Sequence, residues 1–194
     1  MRVLVACEES QRVCMAFREK GHIAFSCDLK DCSGGFSQYH IKGDCWSVIE
    51  NHSWDLIIAH PPCTYLSIVG APNLVKNGVI DEVRYEKMLL ARDFFMRFYN
   101  LNGVRLCIEN PRPMKRCCLP PFSQSIQPFE FGDPYTKLTL LWLKGLPLLI
   151  GNNYSVNKRS APGCVSWNLV HHDSENRSKT FYGIAKAMAE QWDF

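Results

Sequence analysis

The stretch Trp54-Asp55-Leu56-Ile57-Ile58-Ala59-His60-Pro61-Pro62-Cys63-Thr64 decides the fold. Its core, Leu56-Ile57-Ile58, is apolar without alternation, which suits a strand covered on both faces, as in a parallel sheet with helices on either side. His60-Pro61-Pro62 ends it, because proline cannot donate to a ladder. Upstream, Val3 to Ala6 reads as a strand, Cys7 to Gln11 as a polar loop, and Val13, Met15, Ala16 and Phe17 as one face of a helix. Gly21 closes that helix and Ile23 to Ser26 makes a second strand ending at Asp28, a βαβ start. Ser33-Gly34-Gly35 is loop chemistry, and a short helical turn follows Gly43-Asp44. Downstream, Val83, Met88, Leu89, Phe94, Phe95 and Phe98 recur at helical spacing between Asp81 and Tyr99, and strand Val104 to Ile108 ends at Glu109-Asn110-Pro111. Arg112 to Phe129, with four prolines and Cys117-Cys118, reads as a long loop; Lys137 to Leu143 returns to strand; Tyr154 to Lys179 is polar and irregular. Gly183 to Trp192 carries Ile184, Met188 and Trp192 at four-residue spacing, an amphipathic closing helix. This alternation predicts an open, mostly parallel α/β sheet. Such sheets bind ligands beyond the carboxyl ends of their strands, so Cys7 to Ser10, Asp28, Pro61 to Thr64 and Glu109 to Pro111 should converge on one edge.

With 194 residues, 46% hydrophobic, 12% aromatic and 21% charged, the chain can bury a sizeable core and lacks the composition of a disordered segment. One compact domain is expected. The 22 basic and 19 acidic residues leave a net charge of +3, unevenly placed. Residues 1–111 hold 12 basic and 13 acidic groups, residues 112–194 hold 10 and 6, so a polyanion contact should favour the C-terminal part. Ordinary solubilising charge fits the same counts. Ten cysteines are about 5% of the chain, below the roughly 8 to 10% of small disulfide scaffolds, and no secretory pattern opens the sequence. A reducing cytoplasm is therefore expected. Leu138 to Ile150 is the most apolar stretch, but Lys144, Gly145 and Pro147 interrupt it, and no membrane span is expected.

Cys63 follows two prolines that stiffen the turn and hold the thiol at a fixed height, as a nucleophile with a lowered pKa requires. A lone cysteine is as readily a small buried hydrophobe. Glu109, at the end of another strand, can lie across the same cleft; a thiolate could attack an electron-poor ring while the acid, its pKa raised by partial burial, donates to a ring nitrogen. The alternative is a carboxylate capping a surface strand. Cys117-Cys118, Cys164 and His171-His172 match no common zinc spacing, and adjacent cysteines cannot easily present both sulfurs to one tetrahedral ion, so no metal is expected. Cys7, Cys14, Cys27, Cys32, Cys45 and Cys107 read as core or near-core fillers.

These motifs together resemble the cytosine-5 DNA methyltransferases, and more closely the short methyltransferase-like proteins of bacteriophage and prophage genomes. The likeness runs from Val5-Ala6-Cys7-Glu8-Glu9-Ser10 through Ser26-Cys27-Asp28, Gly43-Asp44, His60-Pro61-Pro62-Cys63-Thr64, Ile108-Glu109-Asn110-Pro111, Gln127-Pro128-Phe129-Glu130-Phe131-Gly132, Lys137-Leu138-Thr139 and Leu141-Trp142-Leu143 to Tyr182-Gly183-Ile184-Ala185. It implies an α/β, Rossmann-like S-adenosylmethionine methyltransferase sheet with helices on both faces. Residues 1–111 would be the cofactor and catalytic half, 112–180 a loop-rich substrate side and 181–194 the closing helix. Cys63 would add to C6 of a cytosine and activate C5 toward the methyl group, Glu109 would hold N3, and Lys137 would position the base or the thiol. The cofactor S-adenosylmethionine would lie against Ala6, Cys7, Glu8, Glu9, Asp28, Asp44, Pro61 and Gly183, with Asp28 on the ribose and Asp44 near the adenine. Each aspartate could equally be a loop or helix-cap residue.

The first loop departs from the family pattern, which is glycine-rich where this chain has Glu9, Ser10, Gln11 and Arg12, and the last helix has Gly183-Ile184 in place of Gly-Asn. Only about 34 residues, Leu146 to Lys179, stand where large enzymes insert a target-recognition domain. A second subunit in a homodimer, a host-protein partner or an undemanding target would then complete recognition. Lys158, Arg159, Arg177 and Lys179 could track DNA phosphates, single- or double-stranded, with Trp167, His171 and His172 available for stacking; a solvated loop is the alternative. Two other functions fit the residues: methylation of a free pyrimidine nucleotide, and a degenerate methyltransferase fold that binds nucleic acid, a nucleotide or a host protein as a phage accessory factor.

Overall fold

The computed structural model describes residues 1–152, 163–170 and 174–194. Its elements are β1 (Arg2–Ala6), α1 (Arg12–Glu19), β2 (Ile23–Asp28), β3 (His40–Lys42), α2 (Cys45–Asn51), β4 (Leu56–Ala59), α3 (Glu82–Tyr99), β5 (Arg105–Asn110), β6 (Gln124–Ile126), β7 (Thr139–Lys144) and α4 (Tyr182–Gln191). The seven strands form one sheet in the order β3-β2-β1-β4-β5-β7-β6, and only β7 runs against the others. The first five positions carry the doubly wound order, which reverses direction at β1 and β4. This is the open, mostly parallel Rossmann-like sheet, with helices on both faces, that the alternation of elements predicts.

Alternate residues of the central strands serve two cores. Val3, Val5, Leu56, Ile58, Cys107 and Leu141 face α1 and α4, while Leu4, Ala6, Ile57, Ala59, Leu106, Ile108 and Trp142 face α2 and α3. Both faces being covered, the strands read as unbroken apolar runs. Asp44 caps α2 by accepting from Trp46 N (3.2 Å), and Asp81 caps α3 by accepting from Arg84 N (3.0 Å). Gly21, at φ +86°, ends α1 in the left-handed region. Among the described residues no helix is long and apolar enough to cross a membrane.

Several short pieces depart from the expected layout; in the segment expected to be irregular, Val165–Ser166 pairs in parallel with Tyr135–Thr136, and Trp167–Val170 and Ser174–Ser178 are short helices. The segment Arg112 to Phe129 is not all loop, because β6 pairs with the open side of β7. Likewise β3 adds a parallel edge beside β2. Three residues are too few to show a period, so neither strand was visible in the pattern. A hairpin, Val75–Lys76 with Val79–Ile80, turns through Asn77 and Gly78 at φ 52° and 79°; the Asn-Gly pair is its sequence signal. The strand predicted to end at Ile108 also ends two residues later, at Asn110, so Glu109 and Asn110 pair with Leu141 and Leu140.

Gly183 fastens α4 to the turn before β7. Its N–H donates to Asp133 Oδ2 (3.0 Å), and a Cβ there would sit 2.1 Å from the Phe131 carbonyl oxygen. Gly183→Ala should therefore cost about 2–3 kcal/mol, at the upper end of overpacking penalties. Thermal unfolding followed by circular dichroism should show a melting point lower by several degrees; an unchanged one would mean that Phe131 yields freely.

Candidate active site

β1, β2, β4 and β5 are mutually parallel, so their carboxyl ends share one edge. Beyond it lie the Cys63 turn and the last residues of β5. In the β4–β5 register Ala59 lies beside Ile108, which sets the following residue, His60, beside Glu109. His60 Nδ1 donates to Glu109 Oε2 at 3.0 Å, with the two side chains only 9% and 12% exposed. Burial drives Glu109 upward, but the hydrogen bond and charge of His60, helped by Lys137, hold it below its ordinary 4.5. For His60, burial pulls the opposite way; the hydrogen bond and charge of Glu109, together with Glu8, hold it above 6.5 against Lys137. Each partner favours the charged form of the other. The expectation of an acid raised by burial is thus corrected: the histidine beside it outweighs desolvation. His60 is the site residue that motif reading left without a role.

Cys63 also departs from the lowered pKa expected of it. Burial, then the Glu109 charge, push its thiol above 9.0, opposed by Lys137, a backbone hydrogen bond and Arg177. The resting sulfur is a protonated thiol. Its position is nonetheless well held. Asn110 Nδ2 donates to the Pro61 carbonyl at 2.7 Å, tying the end of β5 to the turn, and Leu66 N and Ser67 N donate to the Cys63 carbonyl (3.0 and 2.8 Å). Ile68 N to Arg112 O (2.9 Å) and Met114 N to Leu66 O (2.8 Å) zip the two loops together. Buried side-chain atoms without a partner include His60 Nε2 and Asn110 Oδ1, at the ends of β4 and β5, and Glu9 Oε1, in the loop after β1. Unpaired polar atoms at a strand edge are costly unless a ligand meets them.

Lys137 precedes β7 and its charge is felt by Cys63, His60 and Glu109. Its Nζ donates to the Arg177 carbonyl (2.7 Å) and its N–H to Gln127 Oε1 (2.8 Å). Three elements distant in sequence therefore place the cation. Arg177 also acts on the thiol, so it belongs to the cleft as well as to any strand-binding surface.

In the loop after β1, expected to hold the cofactor, the glycine-poor backbone reaches its shape by another route. Cys7 and Gln11 occupy the left-handed region at φ 59° and 60°. Gln11 is wholly buried and its amide bonds both backbone groups of Phe36 (2.9 and 3.0 Å). Glu8 does not face a ligand first: its carboxylate accepts from Val13 N (2.7 Å) and Cys14 N (3.2 Å), at the positive end of α1, where burial raises its pKa. Asp28 ends β2 with Oδ1 accepting from Lys30 N (2.9 Å). Asp44 is exposed and caps α2. Ala6 and Pro61 are buried at the ends of β1 and β4, and the Cys7 thiol lies against that of Cys45. Gly183 is occupied by its packing on Phe131.

Of the expected DNA contacts, Lys158, Arg159, His171 and His172 lie outside the described residues. Lys179 is half-buried. Trp167, expected as a stacking platform, is instead packed between Tyr135 and Phe181, with ring centroids 4.6 and 4.7 Å away. Cavities of about 480 Å³ at the opposite edge, beside Trp54 and Arg105, and about 660 Å³ between α1 and α4 do not include Cys63 or Glu109.

No protein family and no curated protein matches the chain. Among solved structures it is similar to a protein proposed to be a DNA modification methyltransferase, encoded within a prophage of E. coli, at 12% identity and a TM-score of 0.48 over 81% of this chain. The chain spans about half the length of that protein, 48%.

The ion pair makes a pH prediction. Glu109 lies below 4.5 and His60 above 6.5, so their contribution is complete between those values. It fades as pH falls through the depressed Glu109 value and as pH rises through the raised His60 value. Glu109→Gln should thus cost most stability in that window, about 1.5–3 kcal/mol as for a hydrogen bond to a charged group. Denaturant unfolding of both proteins across pH checks this; a difference that does not change with pH would reject the charged pair.

Proposed function

We propose that the protein methylates C5 of cytosine in DNA, using S-adenosylmethionine and a covalent adduct between Cys63 and C6 of the base. The observation that carries this reading is a thiol after β4 and a carboxylate ending β5, on adjacent parallel strands, with the Lys137 cation acting on both. A paired thiol and acid at the ligand edge have little use in a pure binding protein.

In this reading the base enters with N3 toward Glu109 and C6 toward Cys63. The thiol proton passes to the Glu109 carboxylate and on to N3, so the resting thiol and the resting carboxylate are both in the forms the step requires. The sulfur electron pair makes the S–C6 bond, and the C5=C6 pair moves to C5. Lys137 lowers the cost of the thiolate, and His60 keeps Glu109 able to accept the proton. Bound S-adenosylmethionine supplies the electrophilic methyl carbon. The C5 proton then leaves to water, the S–C6 bond breaks with its electron pair returning to sulfur, and the N3 proton passes back through Glu109 to restore the ring and the thiol.

The residues at the cofactor side fit the group. Asp28 keeps Oδ2 without a partner among the described residues, suited to ribose hydroxyls, and the unpartnered Glu9 Oε1 suits an ammonium. Arg177 and Lys179, with Lys158 and Arg159, are proposed DNA contacts.

Cys63→Ser should lower methyl transfer to DNA by more than about 10³-fold, as expected for loss of a nucleophile. A DNA strand carrying 5-fluorocytosine, whose fluorine blocks the elimination, should give a denaturation-resistant adduct with the wild type and none with Cys63→Ser. Undiminished transfer by the variant overturns the mechanism. Calorimetric titration should show S-adenosylmethionine binding weakened about tenfold, roughly 1.4 kcal/mol, in Asp28→Ala; equal affinity would move the ribose elsewhere.

A further inference from the structure

We infer that a basic shoulder beside the Cys63 cleft, made by Arg112, Lys115 and Arg116, grips the phosphates of the DNA strand that carries the target base. The inference rests on the reading of the protein as acting on DNA. No carboxylate occurs between Glu109 and Glu130, whereas these three cations stand within five residues. They are three of the ten that give residues 112–194 their net +4.

The backbone determines where the shoulder points. Met114 and Cys117 are buried, 6% and 0% exposed, and bracket the first two residues of the short helical turn Lys115–Cys117. Lys115 and Arg116, between those two anchors, are turned to solvent. Arg112 is exposed as well, with its carbonyl held by Ile68 N–H at 2.9 Å. None of the three forms an ion pair among the described residues. The other cations near the cleft are engaged: Lys137 Nζ at the Arg177 carbonyl, and Arg84 at the Thr64 carbonyl (3.3 Å).

The shoulder is joined to the thiol by a short hydrogen-bonded path. Met114 N donates to Leu66 O, and Leu66 N donates to Cys63 O. A strand held at the shoulder is therefore referenced to the sulfur by a rigid connection. On the opposing side of the same ladder, Ile68 and Val69 are 48% and 71% exposed. Carboxylate-free cations beside exposed apolar side chains match a phosphodiester strand, whose charge needs neutralising and whose sugars and bases need apolar contact.

The test is an anisotropy titration of the full-length protein with a labelled single strand and the matching duplex at several salt concentrations. The variant Arg112→Gln/Lys115→Gln/Arg116→Gln should reduce the slope of log K against log salt by about 2 on the single strand, or about 2.7 on the duplex, for three lost phosphate contacts. It should melt with the wild type, since all three side chains are exposed, and Arg112→Lys/Arg116→Lys should keep the wild-type slope. An unchanged slope in the triple variant, or a wild-type protein that binds neither form, overturns the inference. DNA binding with the predicted slope but without methyl transfer leaves the shoulder standing and removes the enzymatic reading; methyl transfer with an unchanged slope does the reverse.

Discussion

Ala59 pairs with Ile108 in the parallel ladder between β4 and β5, and from that register follows most of what the site can do. One residue further along, His60 meets Glu109; three further comes Cys63, whose thiol feels the Glu109 charge. Side chains alternate across a strand, so a slip of one residue would send the acid to the opposite face and leave the histidine buried alone. The Leu56-Ile57-Ile58 core resists such a slip because both faces of β4 are packed, Ile57 against one core and Leu56 and Ile58 against the other. Hydrophobic burial thereby sets an electrostatic geometry that no polar interaction in the site could set unaided.

Along this edge the charges alternate. The positive end of α1 holds Glu8, Glu8 and Glu109 flank the His60 imidazolium, and Lys137 follows Glu109. At Glu109 burial is outweighed by His60 with Lys137, whereas at Glu8 it prevails over the α1 amides and His60 and raises the pKa. The sequence of signs joins the loop after β1 to the thiol after β4 through side chains alone. The one acid whose charge raises the Cys63 thiol, Glu109, is itself matched by His60 and Lys137.

The sheet was legible in the sequence wherever a strand was long enough to be apolar on both faces. β1, β2, β4 and β5 declared themselves in this way, and the loops after them announced the edge where chemistry collects. The placement of Cys63 and Glu109 at one edge of the sheet was legible because motif and strand end coincide. His60 was not, although it stands in the same motif, since its meaning depends on the neighbouring strand's register and not on its own neighbours. The charge state of Glu109 was lost with it. Trp167 looked like a stacking residue because an aromatic in a polar segment suggests exposure; only the tertiary contacts with Tyr135 and Phe181 bury it.

The left-handed Cys7 and Gln11 bear on the order in which the protein acquires its parts. A glycine-rich loop can take such a shape from local backbone freedom alone, whereas a non-glycine residue there is strained by about 1–2 kcal/mol. What offsets the strain is the grip of the Gln11 amide on Phe36, 25 residues away, and the hydrogen bond from Ser33 N to the Glu9 carbonyl at 2.9 Å. The loop can therefore close only after β2 has paired with β1 and the following segment has docked. Its formation is a non-local, late event in folding, and the same dependence makes it a part of the molecule that should open early when the chain is stressed, ahead of the strands that carry it.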